Sequence, residues 1–472
     1  MVANIARSMT TRSRIARLRN ESLATLVLAL PIVAGQLLAV ALNVVDTMLA
    51  GGLGTHVQAA VAMGAQAWVV VLLVLIGVML ALTPAVAQLD GAGRRAETGA
   101  VFRQALMLAV VLGTLLGLAL TAAEPLLRFA RVDPAVVPDA VAFMHAIAWG
   151  APALAIYFAC KNFSEGLSLT RPTMYFGALG VVVLLPLAWA LMYGRLGLPA
   201  LGAEGAGYAH AITLWIQALA FLVYLGLRRH YREARPFAAL ERPDLATIAR
   251  LLAIGVPMAV SICMEGGLFV ATALLAGSLG AVTAAAHQIA LNVASVTFMV
   301  PLGVAMAATV RVGNAVGRGD PRAIAWAGAG ALVLVLAAQL VAVAAMLGFA
   351  RPIVDAYTND PAVLALGIAL IGYAVWFQLS DGIQALANGA LRGLEDTLVP
   401  AFVTTIAYWA IGFPVGWWLG LERGYGAQGL WIGFIAGLTA AAVLLSARFV
   451  VLARRARKVT FGPSKPAATP LE

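Results

Sequence analysis

Residues 44–60 read VVDTMLAGGLGTHVQAA, and residues 270–286 read VATALLAGSLGAVTAAA. The two stretches lie 226 residues apart, which places Gly51 on Gly277 and Gly54 on Gly280. The same register holds without a gap for Pro31 with Pro257, Leu53 with Leu279, Ala59 with Ala285, Ala60 with Ala286, Gly77 with Gly303, Thr83 with Thr309, Gly91 with Gly317 and Gly93 with Gly319. Apolar composition alone would not keep glycines and a proline in register, so the chain contains an internal repeat.

The composition indicates a membrane protein. Apolar residues make up 62% of the 472 residues and charged residues 11%, whereas soluble proteins hold about 45–50% and about 25%. A transmembrane helix needs about 20 mostly apolar residues, and stretches of that length give twelve spans. Glycines at 51, 52 and 54 separate span 1 (24–50) from span 2 (57–85), and Gly277 and Gly280 mark the turn between spans 7 and 8.

The basic residues predict the orientation. If the spans alternate from a cytoplasmic N-terminus, 26 of the 31 Lys and Arg residues lie on the cytoplasmic side. An odd number of spans would remove this bias. We therefore expect a multi-pass protein of the bacterial-type inner membrane with both termini in the cytoplasm. The net charge of +10 is this topology signal and does not indicate a nucleic-acid partner.

The repeat predicts two lobes. Six spans per half is an even number, so both halves face the same way, as parallel repeats do in secondary transporters. The predicted fold is an all-α membrane protein with twelve transmembrane helices in two pseudo-symmetric six-helix lobes. Its expected parts are a cytoplasmic N-terminal tail (1–20), a first lobe (21–228), a linker (229–245), a second lobe (246–455) and a C-terminal tail (456–472). Because one chain carries both lobes, we expect a monomer.

Three carboxylates lie inside the predicted spans. Glu265 is near the middle of span 7, Asp381 is deep in span 10, and Asp46 is near the outer end of span 1. An ionisable group in the hydrocarbon region is costly and usually marks an ion or substrate pathway. Such a carboxylate can exchange H⁺ or Na⁺ for a cationic substrate. The alternatives are a polar contact between helices for Glu265 and Asp381, and a turn cap for Asp46.

Uncharged and aromatic side chains within the spans are further candidates. The polar residues proposed for a substrate or cation pathway are Gln36, Asn43, Asn292, Gln378 and Gln384, although such amides often only bridge helices. The aromatic residues that could line a cavity for flat organic cations are Trp68, Trp149, Phe158 and Phe377. Aromatic packing or a membrane belt is the alternative for these.

One ion pair and one histidine are expected to be structural. Lys161 and Glu165 lie four residues apart, which fits a helical ion pair near the cytoplasmic end of span 4. His287 begins span 8 and is expected to pack or cap there. The chain has neither a phosphate-binding loop nor a His-Glu-x-x-His helix. We therefore predict no enzyme activity and no cofactor, with H⁺ or Na⁺ as the coupling ion.

Several motifs resemble those of the multidrug and toxic compound extrusion (MATE) family, in its NorM-like branch, over roughly residues 20–455. These motifs are Val45-Asp46-Thr47-Met48-Leu49-Ala50-Gly51, Ala285-Ala286-His287-Gln288-Ile289-Ala290-Leu291-Asn292, Arg311-Val312-Gly313-Asn314 and Ala390-Leu391-Arg392-Gly393. The resemblance implies two lobes in a V, which export cationic drugs and dyes against entry of Na⁺ or H⁺. It also implies that Glu265 and Asp381 bind the coupling cation, so that they form a metal site if the ion is Na⁺. The resemblance further implies that Asp46 serves proton coupling.

The chain departs from the family pattern in two places. Leu184 and Ala188 flank Pro186 where relatives often carry Asn, and Phe377 stands where a Tyr is common. The second departure removes an oxygen ligand and therefore favours H⁺ slightly.

The sequence leaves two rival functions open. A flippase for lipid-linked oligosaccharides would carry cavity-facing Arg or Lys residues for pyrophosphate, whereas the deep charges here are acidic. A membrane-embedded enzyme would carry paired Asp-rich motifs, and the sequence has none.

Overall fold

The computed structural model describes residues 2–129, 132–238 and 241–460, without the side chains of residues 2–13, 43–48, 126 and 457–460. Within these ranges the chain forms helices and no strand. The first half contains α1 (Val2–Gly51), α2 (Thr55–Met79), α3 (Leu82–Gly91), α4 (Thr98–Thr121), α5 (Glu124–Phe129), α6 (Val137–Ala148), α7 (Ala151–Gly166), α8 (Arg171–Tyr193) and α9 (Gly202–Leu227).

The second half contains α10 (Leu245–Ser278), α11 (Ala281–Gly317), α12 (Pro321–Gly348), α13 (Ala350–Asp355), α14 (Pro361–Gly393), α15 (Leu398–Ile406), α16 (Phe413–Trp417) and α17 (Gly426–Thr460). Two π-helical segments, Ala407–Gly412 and Trp418–Glu422, continue α15 and α16 into one span. Short 3₁₀ turns at Arg95–Glu97 and Arg229–Tyr231 complete the described helical elements.

The structure confirms the predicted all-α membrane fold. Among the described residues, eleven helices are long and apolar enough to cross a membrane. The pair α6 and α7, bent by 46° at their junction, makes a twelfth span. Residues 2–20, predicted as a cytoplasmic tail, are helical as part of α1. The second span runs over Thr55–Gly91, and its helix is interrupted by a turn between Met79 and Leu82.

The matched glycines adopt matched conformations. Gly54 and Gly280 precede α2 and α11 with φ of 103° and 111°. Gly93 and Gly319 follow the ends of the same spans with φ of 73° and 64°. Side chains other than glycine rarely adopt these angles, so the repeat found in the sequence is also a repeat of backbone turns.

Aspartates cap several helices of the second half. The Asp320 side chain accepts hydrogen bonds from the backbone N–H groups of Ala323 at 3.0 Å and Arg322 at 2.9 Å. These bonds hold the pKa of Asp320 below its usual range. Asp244 and Asp360 accept from the first turns of α10 and α14 in the same way, so three spans begin with a satisfied helix N-terminus.

The two halves pack through reciprocal contacts. A Cβ atom at Gly77 would overlap the backbone of Ala259, and one at Gly303 would overlap Val33. Ala259 and Val33 are themselves related by the 226-residue repeat. The contacts therefore obey a pseudo-two-fold symmetry, as the matched surfaces of a symmetric dimer do.

A second reciprocal pair lies at the end of the bundle that carries Arg94, Arg250, Arg311 and Arg318, called here the basic end. Gly91 packs on Asn314, and Gly317 packs on Gln88, again with the halves exchanged. Polar contacts between halves join the same end: Glu21 with Arg311, Ser22 with the Gly330 carbonyl, Gln88 with the Gly393 carbonyl, and Asn314 with Ser168. At the opposite end, a Cβ on Gly54, Gly277 or Gly280 would meet no heavy atom within 4 Å. The halves are thus held together at the basic end.

We expect Gly77→Ala to lower the free energy of unfolding by about 1–3 kcal/mol, because the added methyl group overpacks against a backbone that cannot move aside. Gly303→Ala should behave alike, since it disturbs the reciprocal contact. The measurement is thermal unfolding of the purified protein in detergent.

Gly277→Ala is the matched control for this series. It is the same substitution in a helix but adds a methyl group in open space, so stability should be unchanged or should rise through helix propensity. Equal unfolding temperatures for Gly77→Ala and Gly277→Ala would contradict the tight interface.

Candidate functional site

A cavity of ≈ 560 Å³ lies between the two halves. This size is typical of sites for drug-sized molecules. Its polar and charged lining comes from both halves: Gln36, Lys161, Asn162, Thr173, His210 and Gln217 from the first, and Ser261, Glu265, Gln384, Asn388, Arg392 and Thr397 from the second. Aromatic and aliphatic side chains, including Trp68, Phe158, Phe269 and Phe298, form the rest of the wall.

Glu265 places a carboxylate on this wall. It lies near the middle of α10, is half-buried, and faces the cavity between the halves. One helical turn earlier, the Ser261 hydroxyl is 2.9 Å from the Thr404 hydroxyl of α15. Near Glu265, helix α10 is therefore bound on one side to α15 of its own lobe, and its other side borders the cavity that separates it from the first lobe.

Asp381 lies behind the wall. It belongs to α14, its side chain is 3% exposed, and one oxygen, Oδ1, has no hydrogen-bond partner among the described residues. It does not line the cavity, whereas Gln384, Asn388 and Arg392 further along the same helix do. The acidic pair thus spans from the cavity into the interior of the second half.

The charges of these residues act on one another. Glu265 and Asp381 are close enough to repel each other, and Arg392 attracts Glu265. A cation near Glu265 or a proton on either acid relieves the repulsion. The occupancy of one carboxylate therefore changes the affinity of the other for positive charge.

Amide side chains support Asp381 from within the lobe. The Thr297 hydroxyl donates to Gln378 Oε1 at 3.1 Å, and the Gln339 amide donates to the Gln378 carbonyl at 2.5 Å. Gln378 is fully buried, and its own Nε2 has no hydrogen-bond partner among the described residues. These bonds fix the turn of α14 that carries Asp381.

An aromatic cluster surrounds this turn. Phe377 stacks edge-on against Trp431 at 5.5 Å between ring centroids, and lies 5.8 Å from Phe434. His287 packs on Trp431 at 5.9 Å, and neither of its ring nitrogens has a hydrogen-bond partner among the described residues. Of the two alternatives for Phe377, cavity lining and aromatic packing, the structure shows the packing, because Phe377 is 2% exposed and does not line the cavity.

The other predicted residues divide between the cavity and elsewhere. Glu265, Gln36 and Gln384 line the cavity together, with Trp68 and Phe158. Asn292 is half-buried, accepts a hydrogen bond from Gln288 at 3.0 Å, and lies away from the lining. Trp149 is 72% exposed and does not line the cavity. The side chains of Asn43 and Asp46 lie outside the described residues.

Two basic residues on the cavity wall were not expected there. Lys161 is 6% exposed and Arg392 is 9% exposed, and both line the cavity. The expectation that the deep charges are only acidic is therefore wrong, because α7 and α14 remain buried for one or two turns beyond the apolar runs that defined the spans. The available signal was that Lys161 directly follows the uncharged run 140–160.

Glu165 lies one turn after Lys161 and is 1% exposed. Its Oε1 accepts a hydrogen bond from the Thr173 hydroxyl at 2.9 Å, and Lys161 attracts its charge. The Lys161 ammonium also lies 5.7 Å from the centre of the Phe158 ring. The two residues predicted to form an ordinary ion pair are thus both buried, and Lys161 forms part of the cavity wall while the hydroxyl of Thr173 binds Glu165.

Tyr408 is a further residue that the sequence reading missed. It is fully buried, and its hydroxyl has no hydrogen-bond partner among the described residues. It lies near enough to Glu265 and Asp381 to be influenced by both charges. Within the same described residues, no group of three or more His, Cys, Asp or Glu side chains is arranged to hold a metal ion.

Comparison with known proteins gives a family match. A family model described as MatE matches residues 31–190 and again residues 257–418. The two matched segments coincide with the two repeats, and together they cover more than half of the chain.

The chain is similar to named bacterial proteins over nearly its whole length. A probable multidrug resistance protein NorM of Xanthomonas campestris is 48% identical over 442 residues, covering 93% of this chain and 96% of the relative. The multidrug resistance protein PmpM of Pseudomonas aeruginosa is 40% identical over 448 residues, covering 94% of each.

Solved structures share the fold at low identity. The eukaryotic MATE transporter AtDTX14 superimposes with a TM-score of 0.84 at 22% identity, over 94% of this chain and 100% of the other. A multidrug resistance MATE family transporter in an outward-facing conformation gives a TM-score of 0.85 at 19% identity, over 93% of this chain and 97% of the other.

We expect Lys161→Met to lower the free energy of unfolding by about 3–5 kcal/mol, because it leaves the Glu165 carboxylate buried without a counter-charge. Adding Glu165→Gln should recover part of this loss. The two single variants and the double variant form a cycle, measured by thermal unfolding, with an expected coupling of about 1–3 kcal/mol.

The exposed pair Glu124 and Arg128 is the control, since it has the same four-residue spacing on a helix. Its cycle, Arg128→Met with Glu124→Gln, should give only about 0.3–0.5 kcal/mol. Additive effects of Lys161→Met and Glu165→Gln would show that the buried charges do not support each other.

Proposed function

We propose that this chain, which belongs to the MatE family, is a multidrug efflux transporter that exports organic cations in exchange for H⁺ or Na⁺. One observation carries the proposal: the carboxylate of Glu265 lies on the wall of a drug-sized cavity between the halves, and the carboxylate of Asp381 lies buried behind that wall in the same half. The cavity carboxylate suits a cationic substrate, and the buried carboxylate suits a small ion. The names of the relatives, which are multidrug resistance proteins, agree with this.

The proposed cycle uses Glu265 as the shared group. When the coupling ion occupies Asp381 and Glu265, their negative charge is neutralised and the organic cation leaves the cavity. When the ion departs to the other side, the two carboxylates repel each other and Glu265 again attracts a cation from the cavity. Because Asp381 is screened from the cavity, the ion and the drug compete directly only at Glu265.

The lobes provide the alternating access. We propose that the lobes comprise residues 21–228 and 246–455, joined by the linker 229–245. The basic end faces the cytoplasm, since Lys and Arg are concentrated on the cytoplasmic side of bacterial membrane proteins. With the lobes packed at that end, the cavity is reached from the outside, and rocking of one lobe against the other would open it to the cytoplasm. A monomer contains everything that this cycle needs.

A lipid-linked oligosaccharide flippase remains the second candidate, since Lys161 and Arg392 on the cavity wall could meet a pyrophosphate group. Each, however, has a nearby acid, Glu165 and Glu265. The net charge of these four groups is close to zero, which suits a positively charged or amphoteric molecule better than a dianion. A membrane-embedded enzyme finds no support in the cavity lining.

We expect Asp381→Asn to reduce ion-driven dye efflux at least about tenfold, and the double variant Glu265→Gln with Asp381→Asn to abolish it, because neutral amides cannot release or recapture the coupling ion. The measurement follows the movement of a cationic dye, added outside inverted membrane vesicles, into the vesicle lumen, with a proton gradient and a Na⁺ gradient imposed separately. The gradient that drives dye movement identifies the ion.

Asp360→Asn is the matched control, because Asp360 caps the outer end of the same helix and Asn caps equally well. Its efflux should equal that of the wild type. Full activity of the double variant would refute the carboxylate mechanism. Absence of gradient-driven movement for any cationic dye, with flipping of a lipid-linked oligosaccharide instead, would favour the second candidate.

We also expect Trp68→Leu to weaken dye binding by about three- to tenfold, because the indole on the cavity wall offers a face for a flat cation. The dissociation constant is measured by fluorescence anisotropy of the dye with purified protein.

Trp149→Leu is the control, since this indole is exposed outside the cavity and its loss should leave dye affinity unchanged. A similar weakening by both variants would indicate a general loss of packing and would contradict a substrate site at Trp68.

A further inference from the structure

The register of α10 and α15 brings the helical turn of Tyr408 beside that of Glu265. Helices α10 and α15 run side by side, and the Ser261 hydroxyl meets the Thr404 hydroxyl at 2.9 Å. Tyr408 follows Thr404 by four residues, and Glu265 follows Ser261 by four residues. The Trp409 indole N–H donates to the Met264 carbonyl at 3.2 Å, so the parallel register continues to this level and brings the Tyr408 turn to the Glu265 turn.

The Tyr408 hydroxyl is buried without a partner. Tyr408 is 0% exposed, and its hydroxyl oxygen has no hydrogen-bond partner among the described residues. Asp381 Oδ1 is buried and unpartnered in the same lobe, and Tyr408 is close enough to feel the charges of both Asp381 and Glu265. A buried hydroxyl without a partner costs free energy, and a hydrogen bond to a nearby carboxylate or to a bound ion would offset this cost.

The backbone at Tyr408 is unusual. Residues 407–412 form a π-helical turn in which the Phe413 N–H bonds to the Tyr408 carbonyl. Pro414 follows at once, lacks an N–H group, and its ring would clash with the carbonyl four residues earlier in a regular helix. The wider turn accommodates the proline, and π-helical turns of this kind are frequent at functional sites.

The first half lacks the same hydroxyl. Pro186 in α8 corresponds to Pro414, which places Gly180 at the position of Tyr408. A Cβ atom on Gly180 would overlap the side-chain amide of Gln217, so in this structure the amide fills the space beside this glycine. The matched position of the first half thus has no hydroxyl, whereas Tyr408 lies in the lobe that carries Glu265 and Asp381.

We propose that the Tyr408 hydroxyl is a third polar group of the coupling site, which donates a hydrogen bond to Glu265 or Asp381 and offers its oxygen to the bound ion. The inference rests on the proposed function and deepens it. The hydroxyl positions the pair of carboxylates so that one cation is shared between them. Its removal weakens ion binding while the ring continues to fill the lobe.

The helices near Tyr408 carry only a few ionisable side chains in the part of the chain that the structure describes. Helix α10 carries Glu265 and Cys263, and helix α14 carries Asp381 and, further along, Arg392; the charges of Glu265 and Asp381 act on Tyr408. His287 of α11 lies in the aromatic cluster with Trp431 and Phe434, to which Tyr408 also belongs. Helix α17 presents no ionisable side chain from Gly426 to Ser446.

Tyr408→Phe tests this assignment, because it removes one oxygen atom and keeps the ring. Purified protein is first saturated with a cationic dye, and the dye is then displaced by the coupling ion, either by lowering the pH or by adding Na⁺. The variant should need about tenfold more ion for half displacement, while its dye affinity without ion should change less than about threefold.

Tyr373→Phe is the matched control in the same lobe, since its hydroxyl reaches only Gln428 at 3.5 Å. It should displace dye at the wild-type ion concentration. Wild-type displacement by Tyr408→Phe would overturn the assignment, as would equal losses of dye and ion affinity, which indicate a packing role. Because dye binding is measured per molecule of folded protein, a lower yield of the variant does not obscure the result.

Asp381→Asn, included in the same assay, separates the two levels of inference. If this variant loses ion displacement while Tyr408→Phe does not, only the role of Tyr408 fails. If Asp381→Asn displaces dye like the wild type, the proposed carboxylate coupling itself fails.

Discussion

The close approach of glycine backbones between the two lobes is the constraint on which the rest of the structure depends. Gly77 and Gly91 from one lobe, with Gly303 and Gly317 from the other, allow backbone to meet backbone at and near the basic end. Membrane helices gain little from hydrophobic exclusion, so their association relies on small residues that permit such packing. Since the lobes touch there, the space left between them elsewhere becomes the central cavity.

Within this symmetric framework the charge is placed asymmetrically. Glu265 aligns with Ala39 in the repeat, and Thr272 stands where the first lobe has Asp46. The second lobe therefore holds the described acid pair, and the first lobe supplies Lys161, buried beside Glu165. An isolated buried charge is very unfavourable. A bound ion or a bound substrate can offset the cost of a buried charge. The net charge of the second lobe therefore depends on which of the two is bound.

Much of the fold follows from the sequence, for physical reasons that particular residues make clear. Apolar length defines a span, and Gly54 and Gly280 mark turns because few other residues adopt their backbone angles. Glu265 stood out because a carboxylate within an apolar run is costly wherever it points.

The division between cavity and lobe interior did not follow from the sequence. Successive residues on a helix point about 100° apart, so the inward position of Phe377 and the cavity position of Gln384 depend on how α14 is rotated in the bundle. Tyr408 carried no signal, because a tyrosine within a span is ordinary and only its distance from two acids makes it distinctive. Lys161 was misjudged because the apolar run ended there while the protein interior did not.

The reciprocal glycine contacts also have a historical meaning. Gly77 on Ala259 and Gly303 on Val33 are the contacts that two identical chains would make across a dyad, so the lobes behave as a dimer fused into one polypeptide. In two identical chains every substitution appears twice, and an acid at the position of Glu265 would be doubled across the dyad. Fusion by gene duplication lets each copy mutate alone, and a single lobe could thus acquire the acids while its twin retained the smaller residues that face them.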